Sequence, residues 1–135
     1  MSNGDPGQNP AVTLGNALAL VFDAIALTRV GLLCNPSREE LRALNDQLNE
    51  LSLAQASIEA KLDALMTGSA PVAGPSKAQV DEVAALTGQV QALTTASTTA
   101  SAAVALTTRV LVVATQIASG THGSGGPPSG NPPRS

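Results

Sequence analysis

The chain has 135 residues, 43% of them hydrophobic, and a formal net charge of −3. Phe22 is its one aromatic residue and its seven Lys and Arg are scattered, which excludes both aromatic stacking of single strands and the clustered cations that bind phosphate backbones; no nucleic acid partner is expected. With Cys34 as the only cysteine no intrachain disulfide can form, and the length allows one domain whose core must come from Leu, Ala, Val and Ile.

Residues 1–10 are rich in Gly, Asn and Pro and carry no basic residue, unlike a secretory signal peptide, so a disordered tail and a cytoplasmic location are expected. The first helix is predicted over about 11–34, with Asn9 as its cap and Pro10 at its first position. Leu14, Leu18, Val21, Ile25 and Leu32 form one stripe, while Leu20, Phe22 and Leu27 fall off it. A helix this apolar is either enclosed by others or in a membrane.

Pro36 and Ser37 open a second helix, about 37–67, with Ser37 and Glu40 as a capping box. Leu41, Leu44, Leu48, Leu51, Ile58, Leu62 and Leu65 then keep 3-4 spacing, a heptad seam interrupted by Gln55. Gln55, like Asn45, is a candidate register device, the other reading being a tolerated defect. A turn is predicted at 68–75 (GSAPVAGP).

Ser76 and Gln79 repeat the capping device and start a third helix, about 76–119. Its seam is Val83, Leu86, Val90, Leu93, Ala100, Val104 and Leu111, with Ser97 and Thr107 as weak positions. Gly88 and the Thr-rich run 94–99 lower helix propensity and permit a kink or break; strands are the alternative for this β-branched stretch. Residues 120–135 (GTHGSGGPPSGNPPRS) form a second tail with almost nothing to bury.

The expected fold is all-α: one helical domain at 11–119, with the second and third helices as a long antiparallel, coiled-coil-like hairpin beside the apolar first helix. Folding about the turn sets Leu65 near Ala78 and Leu41 near Ala102. It also gathers the two most apolar stretches, which share the strings Ala26-Leu27-Thr28-Arg29-Val30 and Ala105-Leu106-Thr107-Thr108-Arg109-Val110, at one end.

Little here suits catalysis. His122 is the only histidine and lies in the tail, Cys34 stands alone, and the pairs Glu39-Glu40 and Asp81-Glu82 sit in first turns, where they complement helix dipoles. No enzyme activity, metal or cofactor is expected.

The string Asn9-Pro10-Ala11-Val12-Thr13-Leu14-Gly15-Asn16 resembles the Reb proteins, the helical subunits of bacterial R-bodies. The likeness lies in Pro10, Ala11, Leu14, Gly15 and Asn16 and continues diffusely to Asn35. The family's upstream Val-Thr segment and Gln-Gln-Gln run are absent, and Ala17-Leu18 stands where an aromatic is usual. The resemblance implies a cytoplasmic subunit that polymerises with paralogues into a coiled ribbon able to extend and disrupt membranes.

An Ala-rich, aromatic-poor core buries little area per residue, so a partner chain is expected to supply surface through these seams. The leading expectation is a structural subunit that assembles with itself or with paralogous helical subunits. The alternatives are a membrane-active, pore-forming or lysis protein that exposes 11–34 and 100–119 conditionally, and a coiled-coil adaptor for one partner. Asp23, Arg29 and Arg109 argue against constitutive spanning, since a charge near the bilayer centre costs on the order of 2.5–3.5 kcal/mol.

Overall fold

The computed structural model describes residues 9–68, 74–95 and 98–119. Both expected tails apart from Asn9 and Pro10, most of the expected turn, Ser97 and His122 lie outside the described residues. Within them the chain is all-helical: α1 (Pro10–Leu32), α2 (Arg38–Thr67), α3 (Lys77–Thr95) and α4 (Ala100–Ser119).

Local chemistry sets these boundaries. The Asn9 side chain accepts from the Ala11 and Val12 amides, with Pro10 in the first turn of α1. Ser37 Oγ accepts from Glu40 N at 3.1 Å while Glu40 Oε1 accepts from Ser37 N at 2.9 Å. Ser76 and Gln79 repeat that exchange at 3.2 and 3.0 Å. Gly68 ends α2 in the left-handed region at φ 69°, where a residue without Cβ is unstrained.

The third predicted helix is two helices. Thr99 Oγ1 accepts from Ala102 N at 3.0 Å and starts α4 afresh, as a threonine in a low-propensity run is suited to do. The break changes the topology. The expected hairpin of α2 with α3 does not form: no Cα of α2 comes within 8 Å of one in α3. Instead α2 packs on α1 and α4, and α3 on α1 and α4.

Pairwise contacts fix the directions. Thr28 meets Thr107, and Gly31 faces Ala103, so α1 and α4 are antiparallel. Gln47 reaches Val104 and Thr108, while Leu53 and Ser57 share a groove with Thr115 and Ser119, so α2 runs parallel to α4. Gly74 sits against Pro10 and Thr13, and Gln91 bonds Asp23, which makes α3 parallel to α1. The helices therefore alternate up and down, with α1 and α4 as the central pair and α2 and α3 on opposite sides of it.

The apolar character of α1 is explained by this position: it touches all three other helices. Its buried residues include Leu20 and Leu27, off the predicted stripe, as well as Leu14 and Val21 on it. Leu14, Leu20, Leu27, Leu44, Leu51, Ile58 and Leu86 are fully buried, each worth about 1.5–3 kcal/mol relative to exposure. Small residues at Gly31 and Ala103 let α1 and α4 approach closely.

Candidate association surface

The predicted seam residues converge on a core within one chain. Leu14, Val21, Leu44, Leu51, Ile58, Val83, Leu86, Val90 and Leu111 are buried. Leu18, Ile25, Leu32, Leu62, Leu65, Leu93 and Val104 pack against that cluster. Leu48 is half-buried, and Leu41 is 43% exposed on the outside of α2. The 3-4 periodicity thus marks the side of each helix that faces its intrachain neighbours.

What remains outward on α1 is a second stripe. Val12, Ala19, Phe22, Ala26, Arg29 and Leu33 are exposed and recur at helical spacing, with the half-buried Gly15 among them. Phe22 is 47% and Leu33 84% accessible. With α4 behind α1 and α2 and α3 at its flanks, this side faces solvent along the whole helix. Arg29 is the only charged residue fully exposed on it. A helix face so poor in charge is unusual on a soluble surface.

A second concave surface runs between α2 and α4. It has a volume of about 650 Å³ around Asp46, Gln47, Glu50, Thr108, Leu111 and Val112. It continues past Leu53, Ala54 and Ser57 to Ala118 and Ser119. Gln47 is 8% exposed at its floor. Its Nε2 donates to Val104 O at 3.2 Å and to Thr108 Oγ1 at 3.0 Å, while its buried Oε1 has no partner among the described residues.

Gln47 is the buried polar residue of α2, and the sequence did not single it out because it stands beside the Leu seam. Gln55, the expected candidate, is half-exposed and donates to Glu59 Oε2 of its own helix at 3.4 Å. Asn45 is exposed. Thr107, a weak seam position by its spacing, is fully buried with Thr28 as its partner at 3.3 Å. Each of the two similar Ala-Leu-Thr strings supplies one of these threonines.

Two of the charged residues of the central pair, Asp23 and Arg109, are held by α3. Asp23 accepts from Gln91 Nε2 at 3.4 Å. Arg109 donates to Gln89 Oε1 at 3.0 Å and lies 3.8 Å from Glu82. Cys34 is half-buried and donates to Val30 O at 3.2 Å and Thr98 O at 3.6 Å, fastening the end of α1 beside the start of α4. Among the described residues no group of three or more His, Cys, Asp or Glu is placed to hold a metal ion.

Compared with known protein families, with curated proteins and with solved structures, the chain matches none.

Proposed function

We propose that this protein is a non-catalytic helical subunit that assembles with copies of itself or with paralogous chains, and that α1 provides the joining face. The single observation carrying this reading is the uncharged, solvent-facing run of Val12, Ala19, Phe22, Ala26 and Leu33, interrupted only by Asn16 and Arg29. Gly15, Ala19 and Ala26 let a second helix backbone come close, and Phe22 offers a large apolar contact. The likeness of Pro10–Asn16 to R-body subunits falls on the same helix. The seams at Leu41–Leu65 and Val83–Leu111, being occupied within the chain, contribute by holding α1 in place rather than by joining copies.

Sedimentation of wild type beside Ala26→Glu and Phe22→Glu tests this. Both exchanges fall on exposed positions, so helicity should be retained while the larger species is lost. An unchanged oligomer in both variants would overturn the role of α1.

A second reading, a membrane-active protein, is favoured by one specific feature. α1 with 23 residues and α4 with 20 are each long and apolar enough to cross a bilayer, and they are the two helices that pack centrally against each other. Dye release from lipid vesicles tests it; this reading predicts release by the purified chain, and none would end it.

A further inference from the structure

We propose that α3 is a removable cover over the antiparallel α1–α4 pair, which a lipid bilayer takes up, and that Asp23 and Arg109 exchange their α3 partners for each other when α3 leaves. The inference rests on the membrane-active reading above.

Three observations carry it. The first is that α3 is the least anchored helix. It buries three residues, Val83, Leu86 and Val90, against five in α2 and nine each in α1 and α4, and it has no contact with α2. Local opening follows the elements with the fewest buried apolar contacts.

The second is the nature of the α1–α4 contact. Gly31 against Ala103 and the buried Thr28–Thr107 hydroxyl pair are small residues and an interhelical hydrogen bond. Such features hold helices together in lipid, where burial of apolar surface no longer does. The pair is therefore built to survive transfer as a unit.

The third concerns charge. Asp23 and Arg109 both point to α3, which engages them through Gln91, Gln89 and Glu82. The register that sets Thr28 opposite Thr107 and Gly31 opposite Ala103 carries Asp23 level with Leu111–Val112. Asp23 and Arg109 are then offset by two or three residues, roughly 3–5 Å along the axis at the helical rise. Opposite charges on the same side at that spacing pair once α3 is gone, and pairing lowers the penalty that each alone incurs in lipid. Arg29 lies near the end of α1, where its long side chain can reach the headgroups.

The test uses dye release from vesicles of equal parts phosphatidylcholine and phosphatidylglycerol by the full chain. Leu86→Ala in α3 and Leu51→Ala in α2 delete the same atoms from fully buried sites, and Val90→Ala is a milder alternative to the first should Leu86→Ala not fold. Release should rise on the order of tenfold for the α3 variants, whereas Leu51→Ala at matched thermal stability stays near wild type. Within the Leu86→Ala background, Asp23→Asn or Arg109→Gln alone should slow release on the order of tenfold, and the two together should restore it. Equal stimulation by the α2 and α3 variants would overturn the cover while leaving membrane activity standing, and additive slowing in the double charge variant would overturn the pairing. No release by wild type or any α3 variant would overturn this inference and the membrane-active reading alike.

Discussion

Thr28 and Thr107 meet hydroxyl to hydroxyl at 3.3 Å in the fully buried contact between α1 and α4. Thr28 Oγ1 donates its proton to Ala24 O at 2.7 Å, so Thr107 is the donor between them. Thr28→Val leaves the Thr107 hydroxyl buried without this acceptor and should lower stability by about 1 kcal/mol. With both exchanged for valine, no stranded hydroxyl remains, and the double variant should be closer to wild type than the sum of the singles. Urea midpoints at constant slope read this coupling; strict additivity would mean that the pair is incidental.

Two glycines of α1 should respond in opposite directions. A Cβ on Gly31 would stand 2.8 Å from the Ala103 Cβ and 3.3 Å from Leu44 Cδ2, where three helices meet. Ala103 has no flexible end to move, so Gly31→Ala should destabilise by about 1–3 kcal/mol despite its helix propensity. At Gly15 nothing in the chain lies within 4 Å of the added atom, and Gly15→Ala should stabilise the single subunit, at concentrations too low for assembly, by about 0.4–1 kcal/mol. Thermal unfolding of the two variants checks the contrast, and equal shifts would contradict the close approach of α1 to α4.

Gln47 fastens α2 to α4 at the expense of a buried acceptor without a partner. Gln47→Leu removes that acceptor and keeps the volume, so stability should hold or rise. Gln47→Ala opens a cavity as well and should lower it by about 1–2 kcal/mol. Chemical denaturation ranks the two; a large loss in Gln47→Leu would mean that its two donated bonds outweigh the stranded oxygen.

The helical class was legible in the periodicity, and three helix starts were legible in Asn9, Ser37–Glu40 and Ser76–Gln79, because capping is a local exchange between neighbours. The arrangement of the helices was not. Spacing identifies which side of a helix is apolar but not which helix covers it, so the seams of α2 and α3 read as partners although both turn toward α1 and α4. The decisive residue was Thr99, whose hydroxyl caps α4 and starts a second helix where one continuous helix was predicted. In the permissive run 94–99 a continuous helix and a break differ by a few local hydrogen bonds, and tertiary packing decides between them. The outward stripe of α1 was hidden for the same reason: in a helix apolar on most sides, only the placement of its neighbours reveals the uncovered one.

Assembly requires that α1 keep one apolar side open for a second subunit. Light scattering of the unmodified chain over a wide concentration range tests this most directly. The mass should rise above the 13.4 kDa of a single chain as concentration increases. A mass that stays at 13.4 kDa at the highest attainable concentration would contradict it.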